Sequence, residues 1–243
     1  MTGLWIAAPG AAWAELAADA IERALRRRLA GRDGVTLALA GGDTPRPAYE
    51  RLAARAARRP DDPWARVTVL FGDERDVPPE HAASNYRMAR ASLLDRLPRP
   101  PKAVHALATG DDGAPPTDYP ADGVDVLLVG VGRDGHILSI FPGSPLLAPG
   151  EHGLVARALA PVEPTRRLTL TPEAVRRAHE VLVLVTGAEK ALPVARALGA
   201  VPAPLVVPAA LVRGGTWILD EPAAGALPPD VLATATRNPE LLP

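Results

Sequence analysis

Short apolar runs alternate with segments of helical periodicity along most of this chain. The runs predict strands over 35–40, 66–71, 125–129, 167–171, 180–186 and 216–219. Helical spacing predicts helices over 11–30, 47–59, 84–97 and 187–199, and a shorter one starting at Thr171-Pro172. Strands that are continuous apolar runs are typical of parallel sheets buried on both faces. The sequence therefore predicts an α/β fold with a mainly parallel, Rossmann-like sheet covered by helices on both faces.

The segment 98–123, rich in Pro, Gly and Asp, has the composition of a linker. A predicted strand follows it at once, so we interpret it as a connection within one domain, with a short strand near 103–107. We expect residues 1–243 to form a single domain. Because aromatic residues are only 4% of a chain that is 47% apolar, its core should be largely aliphatic.

The charge balance excludes a global electrostatic attraction to nucleic acid or anionic membranes, because 27 basic and 28 acidic residues leave a net charge of −1. An anionic ligand must be held by a local cluster. The absence of cysteine excludes disulfides, thiol nucleophiles and thiolate metal sites. No apolar run approaches the roughly 18 residues of a membrane span, and residues 1–31 lack the basic n-region of a signal peptide. We expect a cytoplasmic protein.

The run GVGRDGHILSIFPGS, residues 130–144, follows a predicted strand and contains a G-x-G-x-x-G match at Gly130, Gly132 and Gly135. This pattern suggests a dinucleotide-binding turn. That interpretation fails because it needs a long helix directly after the third glycine. The sequence FPGSP at 141–145 breaks the chain there instead.

What remains is a glycine-rich loop that presents Asp134 and His136 at a strand end. His136 is the one histidine that we consider catalytic, because an imidazole can take a proton from water at neutral pH. The alternative is a structural hydrogen bond. No metal-ligand spacing such as H-E-x-x-H is present, so we expect no metal site.

Four predicted strands end in polar or glycine-rich sequences. These ends read GGDTP (41–45), GDER (72–75), GVGRDGH (130–136) and TGAEK (186–190). In an open parallel sheet, ligands bind beyond the carboxyl ends of the strands. We therefore expect the four ends to lie along one edge and to form the site.

The first of these ends has the sequence of an anion site. Gly41, Gly42 and Thr44 lead into a predicted helix whose first amides lack partners within the helix. The alternative is a tight turn in which Thr44 caps the helix and Pro45 takes its first position. A Walker loop is excluded because the Gly-Lys-Ser/Thr ending is missing.

Charged residues near the other strand ends are candidates for the same site. Asp73 and Arg75 lie two apart and should point the same way, with Glu74 opposite. Lys190 falls in the first turn of a predicted helix, where a cation opposes the helix dipole and suggests a bound anion. Arg167 offers a planar donor set for a phosphate. Solvated surface charges are the alternative for these residues.

Taken together, five stretches resemble the 6-phosphogluconolactonase family, within the wider group of sugar-phosphate isomerase-like folds. They are LALAGGDTPRPAYERLA, VTVLFGDERDVPPEHAASNYRMARASLLDRL, DVLLVGVGRDGHILSIFPGSPLL, RLTLTPEAVRRAHEVLVLVTGAEKA and RGGTWILDEPAA. They occur in family order over most of the chain from about residue 35 to 224.

The resemblance implies hydrolysis of 6-phospho-D-glucono-1,5-lactone to 6-phosphogluconate in the oxidative pentose phosphate pathway, without a metal or cofactor. It implies a small-molecule sugar phosphate lactone as partner, and we expect a monomer or small homo-oligomer. The catalytic residues would be His136 as general base, Arg75 on the oxyanion with nearby loop amides, and Asp134 orienting His136. The expected substrate-binding residues are Gly41, Gly42, Asp43, Thr44, Asp73, Gly132, Gly135, Arg167 and Lys190.

The chain departs from the family pattern in two places. Asp43 replaces the serine of the usual G-G-S-T-P, so that a carboxylate lies where a phosphate would bind, unless it points away or pairs with Arg46. Ile137 and Leu138 replace polar or small residues of the typical DGHTASLFPG. Ile137 is similar to the G-H-I loop of glucosamine-6-phosphate deaminase relatives.

Two alternatives stay open on the sequence. One is an isomerising deaminase with Asp73 as proton shuttle, against which the FGDERDVPP and SIFPGS stretches speak. The other is a non-catalytic sugar-phosphate sensor. The chain has no separate DNA-binding module or basic stripe, and His136 is retained, so the sensor is disfavoured.

Overall fold

The computed structural model describes residues 3–59, 61–108, 119–201 and 203–236. Its strands are β1 Gly3–Ala7, β2 Val35–Leu39, β3 Val67–Phe71, β4 Asp73–Arg75, β5 Ala103–Val104, β6 Val126–Gly130, β7 Val155–Leu159, β8 Arg166–Leu170, β9 Glu180–Val185 and β10 Thr216–Asp220. Its α-helices are α1 Ala11–Leu29, α2 Arg46–Ala56, α3 Asn85–Ser92, α4 Pro172–Arg177, α5 Ala191–Leu198 and α6 Pro229–Leu232.

The main sheet is parallel and has the strand order β1-β10-β9-β6-β2-β3-β5. Its central strands β2, β6 and β9 are apolar runs with mostly buried residues, as strands covered on both faces require. Helix α1 packs against β1, β2, β9 and β10. The predicted α/β fold with a mainly parallel, Rossmann-like sheet is confirmed.

Strands β9, β6, β2 and β3 are neighbours in this sheet. They are the four strands whose carboxyl ends carry the polar and glycine-rich sequences. Because the strands are parallel, these ends lie along one edge, as predicted.

A second, antiparallel sheet of order β4-β8-β7 stands beside the first. The inclusion of β8 among the parallel strands is therefore wrong, because the alternation of RLTLT indicates a strand but not its partners. Strand β4 lies in the segment 72–75, which the sequence indicates only as a polar strand end, and β1 and β7 are not predicted at all. These three strands are short, and β7 is half exposed, so each gives little periodic signal.

Helix ends differ from the sequence prediction in three places. Thr44 does not cap α2: Pro45 occupies the N-cap, without a side-chain hydrogen bond. Helix α3 stops at Ser92, and a separate 3₁₀ turn continues over Leu94–Arg96. The predicted helix over 187–199 begins as a 3₁₀ turn, so Lys190 precedes α5 rather than lying inside it.

Buried apolar side chains from the helices and both sheets join in one core. It is largely Ala, Leu and Val, but all four tryptophans are also buried, with Trp13, Trp64 and Trp217 at most 2% exposed. Of the connection 98–123, residues 109–118 lie outside the described part, and the described remainder contains the two-residue strand β5. No helix within the described ranges has the length and apolarity to cross a membrane.

Candidate active site

A cleft of about 570 Å³ opens at the carboxyl edge of the main sheet. Its wall contains most of the residues predicted from the sequence: Gly41, Gly42, Asp43, Thr44, Asp73, Arg75, Gly132, His136 and Lys190. Asp134 and Arg167 instead line a neighbouring cavity of about 810 Å³, between the loop 141–146 and the β7–β8 hairpin. Gly135 lines neither cavity. The two cavities meet at the His136 loop.

His136 and Asp134 form a hydrogen-bonded pair at the end of β6. Asp134 Oδ1 lies 2.6 Å from His136 Nδ1 and accepts from the His136 backbone N–H at 3.0 Å. Burial opposes ionisation of Asp134, but the bonds from the His136 backbone and ring outweigh it and lower the pKa of the carboxyl. With Nδ1–H donating to this carboxylate, Nε2 is the ring nitrogen with a free lone pair.

Two glycines of the loop make the position of the His136 imidazole possible. A Cβ on Gly132 would overlap the His136 ring, so only glycine fits beneath it. Gly135 has φ +83°, a left-handed conformation that favours glycine. The ring also packs against Phe141, with 4.4 Å between ring centroids.

Backbone amides of this loop are largely used within the loop itself. Gly132 N–H donates to His136 O at 2.8 Å, and Gly135 N–H donates to Gly132 O at 3.0 Å. The His136 amide already serves Asp134. These three amides therefore have no free hydrogen for an oxyanion. The predicted stabilisation by loop amides cannot come from Gly132, Gly135 or His136.

Arg75 and Arg167 face each other across the antiparallel sheet, as do Asp73 and Thr169. Arg75 Nη1 donates to Ala83 O at 2.8 Å. The Nε atoms of Arg75 and Arg167 are buried and have no hydrogen-bond partner among the described residues. Burial, and then the charge of Arg75, lower the pKa of Arg167, which is only 7% exposed. Two facing guanidinium groups in this setting favour a bound anion.

Glu74 points away from this pair, as its alternation with Asp73 and Arg75 predicts. Its carboxylate accepts from the amides of Arg75, Asn85 and Tyr86, each at 2.7 Å, and from Ser84 Oγ at 3.1 Å. Burial raises its pKa, and the amide bonds offset part of that rise. Glu74 thus fastens the start of α3 to β4.

The other end of the cleft holds the glycine turn and Lys190. Lys190 Nζ donates to Val131 O at 2.8 Å, and burial lowers its pKa. Asp43 points outward, with a side chain 95% exposed, and pairs with Arg46 at 3.1 Å. Asp43 is therefore solvated and partly neutralised by Arg46, so it would repel a phosphate at this turn only weakly.

Ile137 and Leu138, the second departure from the family pattern, lie in different surroundings. Ile137 is fully buried and does not line the cleft. Leu138 does line it, with φ +53° and its side chain against Gly72. Only Leu138 can therefore contact a ligand.

Sequence reasoning does not name several polar residues of the site, among them Asp220, Asn85 and Ser139. Asp220 closes β10 in the cleft wall and accepts from the Gly187 and Ala223 amides at 3.0 and 2.8 Å. Its position at a strand end is a signal that could have found it. Asn85 and Ser139 are each 1% exposed and contact the site through long-range partners that no local pattern reveals.

No cluster of three or more His, Cys, Asp or Glu residues with metal-holding geometry occurs in the described ranges. The absence of a metal and of a cofactor stays a prediction.

Comparison with known proteins tests the resemblance directly. A family model described as glucosamine-6-phosphate isomerases/6-phosphogluconolactonase matches residues 9–219. This chain belongs to that family. The family membership predicted from the sequence is confirmed, and the match includes every strand except β1 and every cleft residue except Asp220.

Individual relatives agree with the family match. A 6-phosphogluconolactonase of Mycobacterium tuberculosis is 35% identical over 240 residues, which cover 86% of this chain and 95% of the relative. One from Rattus norvegicus is 36% identical over 239 residues, which cover 90% and 89%.

Solved structures give the same fold. The crystal structure of 6-phosphogluconolactonase from Thermotoga maritima has a TM-score of 0.73 and 28% identity, covering 91% of this chain and all of that one. A monomeric glucosamine-6-phosphate deaminase has a TM-score of 0.70 at 18% identity, covering 92% and 99%. The latter likeness shows the fold alone.

Proposed function

We propose that this chain hydrolyses 6-phospho-D-glucono-1,5-lactone to 6-phosphogluconate in the oxidative pentose phosphate pathway. The His136–Asp134 pair carries the proposal, because lactone hydrolysis needs a base that activates water beside a bound sugar phosphate. The relatives named 6-phosphogluconolactonase support the choice of substrate. The cleft at the carboxyl edge of the sheet supplies the place.

His136 acts as the general base in this proposal. Its Nε2 takes a proton from a water whose oxygen attacks C1 of the lactone. Asp134 holds Nδ1–H and stabilises the imidazolium that forms. When the tetrahedral intermediate collapses, the C1–O5 bond breaks and the ring oxygen takes the proton back from Nε2. Water is added across one bond, and His136 returns to its starting state.

Arg75 stabilises the oxyanion at C1 in this proposal. It lines the same cleft as His136, and the amides of Gly132, Gly135 and His136 are occupied. Its charge is permanent, so the stabilisation needs no proton transfer.

The phosphate and sugar hydroxyls are bound by the remaining cationic and glycine groups in this proposal. Lys190 and the turn with Gly41, Gly42 and Thr44 line the cleft. Arg167, buried and without an acceptor on Nε, adds a charge on the side of the neighbouring cavity. Asp73, Gly132 and Gly135 shape the wall and the His136 loop.

Oligomeric state, single-domain organisation, absence of nucleic acid as a partner and cytoplasmic location stay predictions. The isomerising deaminase gains no support from Ile137, because its side chain lies in the core.

The experiment compares two substrates with one purified enzyme. Proton release is followed from freshly made 6-phosphogluconolactone, above spontaneous hydrolysis, and ammonia release from glucosamine 6-phosphate. We expect saturable proton release and no ammonia. Ammonia release would identify the deaminase. If neither protons nor ammonia were released, the non-catalytic sugar-phosphate sensor would be the remaining alternative.

A further inference from the structure

Asn85, the first residue of α3, lies beneath the cleft and joins three of its parts. It is 1% exposed, and its side chain contacts Asp73, Arg75 and the position of Gly41. We propose that Asn85 is a positioning residue, which fixes the Arg75 guanidinium for oxyanion stabilisation. The inference rests on the proposed function, in which Arg75 performs that role.

The amide of Asn85 is held in one orientation by its neighbours. Its Nδ2 donates to Asp73 O at 2.8 Å and lies 3.3 Å from Asp73 Oδ1. Its backbone N–H donates to Glu74 Oε1 at 2.7 Å. With Nδ2 used in this way, Oδ1 is turned toward Arg75, and Arg75 Nη1 donates to it. Three acceptor atoms, Asp73 O, Asp73 Oδ1 and Glu74 Oε1, thus set the direction of Asn85 Oδ1.

Arg75 needs such an acceptor because its other surroundings do not fix it. Its side-chain hydrogen bonds to the described residues both leave from Nη1, to Ala83 O and Asn85 Oδ1. Its Nε has no partner among the described residues, and Arg167 stands opposite with the same charge. Without Asn85, the hydrogen bond to Ala83 O alone would hold the Arg75 guanidinium against repulsion by Arg167. Two acceptors on Nη1 fix its place, and because Nε is buried, Nη2 is the nitrogen left for a ligand.

Gly41 supplies the third contact. A Cβ at position 41 would overlap the amide of Asn85, although Gly41 itself does not need a left-handed backbone. The side chain of Asn85 therefore fills the space that the missing side chain leaves. It packs the end of β2 against the end of β4, so that the glycine turn and Arg75 share one buried support.

A double-mutant cycle tests the inference through the lactonase reaction. We expect Asn85→Ala to lower kcat/KM about 10-fold to 100-fold, mainly through kcat, because the lost contact acts in the transition state. In an Arg75→Ala background the same change should cost less than about 3-fold. Ser92→Ala is the matched control, since it removes the side-chain hydrogen bond of another buried α3 residue away from Arg75, and it should leave kcat/KM unchanged.

Asn85→Asp separates positioning from general support of the fold. It keeps the oxygen that accepts from Arg75, so we expect its kcat/KM to exceed that of Asn85→Ala. A merely structural role predicts the reverse, because the variant buries a second carboxylate beside Asp73. A guanidinium NMR signal of Arg75, assigned by difference from Arg75→Ala, should shift or broaden in Asn85→Ala.

Equal losses from Asn85→Ala in both backgrounds, or an unchanged Arg75 signal, would overturn the inference and leave the proposed function standing. If Arg75→Ala alone kept full kcat/KM, the oxyanion role of Arg75 would be wrong, and the inference would fall with it. Lactonase activity absent from the unmodified enzyme would instead reject the proposed function.

Discussion

At the scale of single residues, the site depends on side chains that hold one another in fixed directions. Asp134 holds His136 at 2.6 Å, and Asn85 holds Arg75. The first pair could be expected from the sequence, because both residues belong to one short loop. The second could not, since Asn85 and Arg75 meet only after α3 packs on β4. The glycines at 41 and 132 are explained by the same contacts.

The contact between Gly41 and Asn85 predicts a compensating pair of substitutions. Gly41→Ala should destabilise the protein by about 1–3 kcal/mol, because the new methyl group overlaps the buried amide. In an Asn85→Ala background the same change should cost less than about 0.5 kcal/mol, since the space is then open. Urea unfolding of the four proteins measures both costs. Equal costs in the two backgrounds would show that another neighbour makes glycine necessary.

At the scale of elements, the parallel sheet could be predicted and the antiparallel one could not. Strands β2, β3, β6 and β9 are apolar runs followed by glycine or polar residues, which identifies both the strand and its carboxyl end. Strands β4 and β7 owe their existence to pairing with β8, which lies far along the chain from β4. The local sequence of a strand does not identify a pairing partner far along the chain.

Asp125, just before β6, links β6 to β2 and α1 at the edge of the main sheet opposite the cleft. Its carboxylate accepts from Thr36 N at 2.8 Å and Oγ1 at 3.0 Å, from Arg28 at 3.1 Å and from Arg32. Burial raises its pKa, but the bonds from Arg32, Thr36 and Arg28 dominate and lower the pKa to about 2. A carboxyl whose pKa is depressed by folding stabilises the protein above its unfolded pKa and loses that effect as pH falls toward 2.

Asp125→Asn is therefore expected to cost about 1–2 kcal/mol at pH 7, after allowance for solvent screening at the exposed arginines. The difference from the unmodified protein should be constant down to about pH 4 and shrink below it. Urea midpoints between pH 7 and 2.5 measure this, with the exposed Asp122→Asn as control. A difference that persists undiminished at pH 2.5 would contradict the charge-based explanation.

At the scale of the whole molecule, the carboxyl edge holds cations among carboxylates: the cleft wall contains Arg75, Arg133 and Lys190 together with Asp43, Asp73, Glu189 and Asp220. Arg75 and Arg167 face each other, and burial lowers the pKa of Lys190. An anionic sugar phosphate must therefore be bound by individual cations at fixed positions, because neither the near-neutral chain nor the cleft wall carries a net positive charge. Sequence reasoning could predict which cations gather but not which cavity each one lines. The single-domain organisation stays a prediction at this scale.

Binding of the product, 6-phosphogluconate, should therefore stabilise the folded protein. At a concentration 100-fold above Kd the gain is about 2.7 kcal/mol, which raises Tm by roughly 5–10 °C in a chain of this size. Arg167→Leu should lose most of this shift, because the variant lacks a guanidinium proposed to bind the phosphate.

The exposed neighbour provides the matched control for this measurement. Arg166→Leu removes the same charge from a side chain that is 72% exposed and paired with Asp76, and it should keep the shift. Gluconate, which lacks the phosphate, should give no shift at the same concentration. A full shift in Arg167→Leu would show that Arg167 does not bind the phosphate.

The central claim is that His136, held by Asp134, activates water for attack on the lactone. Its most direct test is the initial rate of proton release from freshly prepared 6-phosphogluconolactone by the unmodified enzyme and by His136→Ala, with His152→Ala, which lines neither cavity, as control. We expect kcat to fall on the order of 10²-fold to 10⁴-fold in His136→Ala and to remain unchanged in His152→Ala. A near-normal rate in a folded His136→Ala protein would contradict the claim.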